Sequence, residues 1–418
     1  MGLCLGCRDQ VLAVRQNGLT LNTRLSKRHT AVVLTFSRIA RDRRVLRQCD
    51  LLTEMGWDLS VIAYSELGDA IAYPLMSWPQ PHASWTRRAK TAFRQLPAHF
   101  GAWAARIGFW SDPRNRWALN RLERLKPYLI VANDWPALVV AAAYKSTNAC
   151  YIHYDTHEFS TLEFDERWIW RVLYKPFVVH LEKDSIGSAD SISTVGPFLS
   201  ASLQDLYQLK DKPTVVRNIP DSIDLSSASK TSWPLRVLYH GQLLPDRGLE
   251  ALIMSIADWH EPHRLTIRGD GPVRYVDHLK RMVAGAGFTN QISFENAVLP
   301  DQVMPIAALT ADLGVHFTPL DTVQRHFSLP NKLFEYIGSG LAVAVSPGAD
   351  LRAVVEEHGV GAVSSDASPQ AIAAVINSLT FDQVVKFKSA ARNAARQLCW
   401  SKEREALRNV LAPLVPSV

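Results

Sequence analysis

The sequence predicts an α/β protein of two Rossmann-like, doubly wound domains facing each other across a cleft. Three observations carry that expectation. At 418 residues the chain is long enough for two domains, each with its own core. A strand, helix, strand pattern opens near Thr30 and begins afresh near Leu235. Between the two lies a stretch rich in Ser, Asp and Lys, residues 221–234, with the composition of a linker.

The expected organisation runs in chain order. Residues 1–28 lack the apolar centre of a signal peptide, and Gly6 stands where a myristoylation signal needs Ser or Thr, so this stretch is set aside as a disordered leader. Residues 29–220 form the first domain. Thr30 to Phe36 is an apolar, β-branched strand, Val45, Leu46, Cys49, Leu52 and Met55 recur at helical spacing, and Leu59 to Tyr64 is the second strand. No G-x-G-x-x-G turn follows the first strand, which disfavours a nicotinamide dehydrogenase. Arg41, Arg43 and Arg44 cluster at the start of that first helix, suited to an anionic acceptor or simply to solvent.

Residues 84–126 stand apart. From Arg87 to Lys126 ten Lys/Arg face two acids, interleaved with Trp85, Phe93, Phe100, Trp103, Phe109, Trp110 and Trp117. Cations beside aromatics suit an anionic membrane surface; RNA or plain solvent are the alternatives, and no RNA-binding signature accompanies them. The net charge of +6 belongs to this half of the chain, since residues 216–418 are close to neutral.

Tyr128 to Asp134 is a further strand ending in Asn133 and Asp134, and Cys150 to Phe159 another, ending in Asp155, His157 and Glu158. Ligands of open α/β sheets lie beyond the carboxyl ends of strands, so both polar clusters belong on one rim. Zinc held by His153, Asp155 and His157 is a weak rival, because residues two apart in an extended segment serve many purposes. A helix over Trp168 to Ser185, a strand at Asp190 to Val195, a helix to about Tyr207 and a strand at Thr214 to Asn218 complete the first domain.

The second domain spans residues 235–398. Gly241 turns the chain sharply after its first strand, and Arg247 opens the next helix. Gly269 and Gly271 follow the second strand and permit close backbone approach. Pro330 starts a helix on which Lys332 and Glu335, three apart, share a face near the N-terminus. A cation and a carboxylate there suit a nucleotide diphosphate, the Lys for phosphate and the Glu for ribose; a surface ion pair is the bland alternative. Gly338 and Gly340 end the helix, and Leu341 to Val345 reads as a buried strand.

Asn331-Lys-Leu-Phe-Glu-Tyr-Ile-Gly-Ser-Gly-Leu-Ala-Val343 resembles the donor-site signature of glycosyltransferase family 4, nucleotide-sugar enzymes of the GT-B fold, in the branch with Pro-Asn-Lys before Phe-Glu-Tyr. The family's usual second Glu, eight residues earlier, is replaced by Phe327. An Arg usual just after the first glycine is Gln242, and a Lys before the later one is Arg247. The resemblance implies a retaining transferase that moves a sugar from a nucleotide-sugar donor to a saccharide or polyprenyl-linked acceptor, without metal or cofactor. It implies His157, Arg247 and Lys332 in catalysis, and Gly241, Gly269, Gly271, Arg325, His326, Asn331 and Glu335 around the donor. Asp42, Arg43, Asn133, Asp134, Asp155 and Glu158 are implied on the cleft or acceptor side. It also implies that residues 399–418 return to the first domain.

No apolar run is long enough to span a bilayer, and the five cysteines are odd in number and scattered, which suits a reducing compartment. Cys4 and Cys7 make a lone C-x-x-C without a second pair. The expected protein is therefore cytoplasmic, peripheral on the inner face of the membrane, and independent of nucleic acid. The rivals are a nucleotide-sugar 2-epimerase of the same fold, and a non-catalytic scaffold suggested by Phe327 and Gln242.

Overall fold

The computed structural model describes residues 29–78, 96–157, 159–162, 167–226 and 228–415. Two parallel sheets organise the chain. The first holds β1 (Thr30–Arg38), β2 (Asp58–Tyr64), β3 (Leu75–Trp78), β4 (Leu129–Asn133), β5 (Tyr151–Thr156), β6 (Ser191–Thr194) and β7 (Thr214–Val215), in the order β3-β2-β1-β4-β5-β6-β7. The second holds β8 (Arg236–His240), β9 (Arg264–Arg268), β10 (Ile292–Glu295), β11 (Leu313–His316), β12 (Ala342–Val345) and β13 (Gly361–Val363), in the order β10-β9-β8-β11-β12-β13. In both sheets the order reverses beside the first strand of the lobe, between β1 and β4 and between β8 and β11. Such switch points open a crevice at the carboxyl ends of the strands.

The central strands are continuous apolar runs because helices cover both faces of each sheet. Ala31 to Leu34 in β1 and Ala342 to Val345 in β12 are all buried. The first helix, Arg43–Glu54, is started by Asp42, whose Oδ1 accepts the amide of Val45 at 3.2 Å while Ser37 donates to its Oδ2 at 2.7 Å. The helix Phe381–Ala394 starts with a reciprocal cap between Thr380 and Gln383.

The last helix, Trp400–Leu411, packs on the first lobe. Leu407, Leu411 and Leu414 join the core around Val33, Leu52 and Val61, Glu403 accepts the amide of Arg217 at 2.7 Å, and Arg404 pairs with Glu54.

The structure departs from sequence expectation at several points. The edge strands β3 and β13 carry too little apolar periodicity to announce themselves. The helix expected over 168–185 is broken into a wide turn at Trp170–Tyr174 and a helix at Lys175–Ile186; Pro176 has no N–H to continue the ladder, which loosens the turn before it. The loop expected over 316–326 contains a short helix, Val323–Phe327. The leader 1–28, with Cys4 and Cys7, lies outside the described residues, as do Trp85, Phe93 and Glu158.

Of the basic, aromatic segment, residues 96–126 are described. Helices Ala102–Trp110 and Pro113–Leu125 bury Ala105, Phe109, Ala118 and Leu122 in the first-lobe core. On the opposite face Phe100, Trp103 and Ile107 are 76%, 64% and 60% exposed.

Candidate functional site

The helix Asn331–Gly338 directs its N-terminal turn into the crevice between the lobes. Leu333, Phe334, Tyr336 and Ile337 anchor it in the second-lobe core, which leaves Asn331, Lys332 and Glu335 on the crevice side. Tyr336 does more than fill space: its hydroxyl accepts the amide of His240 at 3.0 Å and its ring stacks on the His240 imidazole at 4.5 Å. Helix and β8 terminus are thereby fixed to each other.

Glu335 Oε2 lies 3.0 Å from His240 Nε2. Burial pushes this carboxyl up, but the contact with His240 and the charges of Lys332 and Arg43 outweigh burial and hold it below its ordinary value. It is an anionic acceptor at the junction of the lobes. The Lys332 ammonium sits 3.8 Å from the centre of the Tyr239 ring and against Gly241, where an added Cβ would be 3.3 Å from it. Burial and the charge of Arg247 lower its pKa to about 7, against the opposing pull of Glu335. Arg247 is exposed and pairs with no acid among the described residues. The Lys332 ammonium is thus held back from its charged form at the mouth of the crevice by burial and by the neighbouring guanidinium. An anion bound there would favour the charged lysine.

Two depressions meet there, sharing His240, Gly241 and Glu335 as a common wall. One, of about 630 Å³, lies mostly on the second lobe between the β8, β9 and β10 ends, with Leu244, Val298, Pro300 and Val303 as apolar lining. Its floor exists because two loops touch. A Cβ on Gly269, whose φ is +154°, would meet the carbonyl oxygen of Gly241 at 1.8 Å, and one on Gly271 would meet that of Leu243 at 2.0 Å. The loops are laced by Gly241 N to Arg268 O at 3.0 Å and Leu243 N to Asp270 O at 2.9 Å. The other depression, of about 490 Å³, spans both lobes and is lined by Asp42, His157, Leu199, Arg247, Lys332 and Phe327 among others.

On the first lobe His157 lies between two carboxylates, with Nδ1 3.5 Å from Asp134 Oδ2 and Nε2 3.3 Å from Asp155 Oδ2. Burial lowers its pKa, yet the charges of Asp134 and Asp155 prevail and raise it to about 9. It is a fixed cation facing the crevice at neutral pH. Asp134 has a left-handed φ of 64°, a strained conformation at a strand-to-helix corner.

Several sequence expectations require correction. Asp155 does not reach an acceptor: it is wholly buried, gripped by Arg44 through Nε and Nη2 at 2.6 Å each, by Gln48 at 2.5 Å and by Ser193 at 2.5 Å. Arg44 is not a solvent-facing cation; its remaining Nη1 donates to the carbonyl of Val216 at 2.5 Å. Asn133 is also fully buried; Asp42 caps the first helix with its carboxylate and also lines the interlobe depression. Arg325 pairs with Asp321 at 2.6 Å, and neither it nor His326 lines the two depressions; Gln324 and Phe327 of the same short helix do. His153 bonds to Ser191 and Ser193, and among the described residues no His, Cys, Asp and Glu cluster is fit to hold a metal. Sequence reasoning missed His240 and Tyr336. The one signal was their position, immediately before Gly241 and immediately after Glu335.

Residues 234–382 match the family model described as Glycosyl transferases group 1. Among solved structures, the chain is similar to HepE of Anabaena in complex with UDP, with 17% identity over 92% of this chain and 100% of that one and a TM-score of 0.67. It is similar to sucrose-phosphate synthase from Thermosynechococcus elongatus, with 13% identity over 93% and 96% of the two chains and a TM-score of 0.63. It is also similar to WaaG, a glycosyltransferase involved in lipopolysaccharide biosynthesis, with 15% identity over 91% and 99% and a TM-score of 0.63. Comparison with curated protein sequences gave no match. The architecture is the GT-B fold of two Rossmann-like lobes.

Proposed function

We propose that this protein is a retaining glycosyltransferase of the family 4 branch marked by Pro330-Asn-Lys332 and Phe334-Glu-Tyr336. It moves a sugar from a nucleotide-sugar donor to a saccharide or lipid-linked acceptor in polysaccharide or glycoconjugate synthesis. The observation that carries this reading is that Glu335 stands in the wall shared by an apolar-lined depression and an interlobe one, with Lys332 and Arg247 lining the interlobe side of it. The base fills the first, Glu335 accepts from the ribose hydroxyls, and the diphosphate lies against Lys332, Arg247 and the amides opening the helix at Asn331. The sugar then enters the second depression beside His157.

Departure of the nucleotide builds negative charge on the leaving phosphate, and fixed donors at that place lower the barrier by several kcal/mol. The His157 cation strengthens that field from the opposite lobe. The acceptor proton passes to the departing phosphate, so no protein base is assigned. The neighbour HepE was crystallised with UDP and with UDP-glucose, which makes UDP-sugars the first donors to test. In a thermal-shift screen of UDP-, GDP- and ADP-sugars, one series at 100 times its dissociation constant raises stability by about 2.7 kcal/mol. No shift with any of the three removes the donor-site reading, and epimer formed without acceptor moves the assignment to a 2-epimerase.

The exposed Phe100, Trp103 and Ile107 on a basic stretch favour an acceptor presented at an anionic membrane surface. Among the described residues no helix is long and apolar enough to cross a membrane. Vesicles containing phosphatidylserine should bind the protein, neutral vesicles much less, with binding weakening steeply between 50 and 300 mM salt, on the order of 1 kcal/mol per engaged cation. Trp103→Ser with Ile107→Ser should abolish that binding; equal binding by the double variant refutes the surface.

A further inference from the structure

The helix Pro197–Tyr207 of the first lobe begins at the crevice, where Val195 and Leu199 line the interlobe depression. The residue preceding it, Gly196, has no side chain to satisfy the first-turn amides. The missing acceptor comes from the other lobe. Asp350, only 1% exposed at the start of the helix Ala349–His358, takes the amide of Phe198 on its Oδ1 at 3.2 Å. A carboxylate at a helix N-terminus is favoured by the helix dipole. Gly196 has an extended φ of −148°, which any residue adopts, yet a Cβ there would lie 2.4 Å from Asp350 Oδ2. The three nearest atoms such a Cβ would meet all belong to the Asp350 carboxylate.

A second set of contacts joins the same two surfaces. Phe159 donates its amide to Gln324 Oε1 at 3.1 Å, and the rings of Phe159 and Phe327 meet edge to face at 6.5 Å, in a cluster with Leu199 and Leu203. Phe327 is the position at which the resemblance leads one to expect a carboxylate. Here it bridges the lobes.

We propose that Asp350 is a positioning residue: by capping the first-lobe helix from the nucleotide lobe, it locks the closed spacing of the lobes, with Phe327 as the apolar half of the same clasp. Its kinetic consequence rests on the transferase reading. The wall at residues 195–199 and the cations at 247 and 332 belong to different lobes, so their separation is set by how the lobes dock. The nucleotide depression is built almost wholly on the second lobe and keeps its shape when the clasp opens.

The test compares wild type with Asp350→Ala, Asp350→Asn and Gly196→Ala. It measures radius of gyration by X-ray scattering, UDP affinity by calorimetry, and turnover of UDP-glucose as UDP release. Asp350→Ala and Gly196→Ala should enlarge the radius of gyration and lower kcat about tenfold, the scale expected for losing a helix cap that holds a working geometry. UDP affinity should stay within about twofold in both. Asp350→Asn, whose amide oxygen still accepts from Phe198, should restore most of the activity. Unchanged scattering and kcat in Asp350→Ala overturn the proposal, as does an Asn variant as impaired as the Ala variant, or UDP affinity falling in step with kcat. Should wild type bind none of UDP, GDP and ADP, the donor reading falls, while the scattering comparison still decides the clasp.

Discussion

Lys332→Ala should lower turnover of the nucleotide sugar by about a hundredfold to a thousandfold, the loss that follows removal of one fixed donor at a developing oxyanion. Little in the vicinity can stand in for it: Gln242 occupies a position that is cationic in the resembling family, and Arg247 is exposed where Lys332 is packed against Tyr239 and Gly241. The pH dependence is a sharper test of the same group. In the free protein the Lys332 pKa stands near 7, lowered by burial and by Arg247. Bound diphosphate favours the charged ammonium and raises it again. At pH 8 the free lysine is therefore mostly neutral and the bound one charged, so each UDP bound carries about one proton with it. Affinity falls as pH rises above 7 and levels off below it. Calorimetry at pH 8 in two buffers of different ionisation enthalpy measures the proton uptake, which disappears in Lys332→Ala. Glu335→Ala should weaken UDP about tenfold to a hundredfold, the value of hydrogen bonds to a charged acceptor. Wild-type affinity and turnover in both variants would remove the donor site from this crevice.

The parts of this molecule that were legible in the sequence are those whose physics is local. The central strands announced themselves because two covered faces demand uninterrupted apolar runs, as in Ala342 to Val345, and the helix at 331 because Pro330, the apolar side and Gly338 are adjacent in the chain. The short edge strand Gly361–Val363 could not, since three residues show no periodicity. Side-chain roles were illegible wherever the partner is distant. Of three arginines within four residues, only Arg44 points inward, a choice made by a carboxylate 111 residues away. His240 matters because Tyr336, 96 residues on, holds its backbone and stacks on its ring. Arg325 looked like a sugar contact by position alone; a neighbouring acid, Asp321, claims it instead.

The Arg44 and Asp155 pair carries the second large effect. Arg44 is 5% exposed and Asp155 is fully buried. Burial pushes the Asp155 carboxyl up, but Arg44 and His157 hold it well below the usual carboxylate range. Asp155→Ala leaves a buried guanidinium without its counter-charge, which costs about 3–5 kcal/mol. In a lobe of this size that loss lowers Tm by roughly 10 °C or more. Replacing both partners, as Arg44→Met with Asp155→Leu, removes the uncompensated charge and should cost less than either single change. The sign of the pH dependence follows from the two groups. Asp155, with a depressed pKa, stabilises above the unfolded carboxylate value near 4, and that contribution is lost as pH falls. His157, raised to about 9, stabilises fully below the unfolded value near 6.5, and that contribution is lost as pH rises through 9. The first lobe should therefore be most stable between about pH 4 and 6.5 as far as these groups decide it, and Asp155→Ala should remove the acid limb and make the alkaline one shallower, because His157 loses one of its two carboxylates and keeps Asp134. Denaturant melts across that range measure this directly. A Tm within 2 °C of wild type in Asp155→Ala would show that the buried pair is neutral for folding, and would leave Asp134 as the carboxylate that holds His157 toward the crevice.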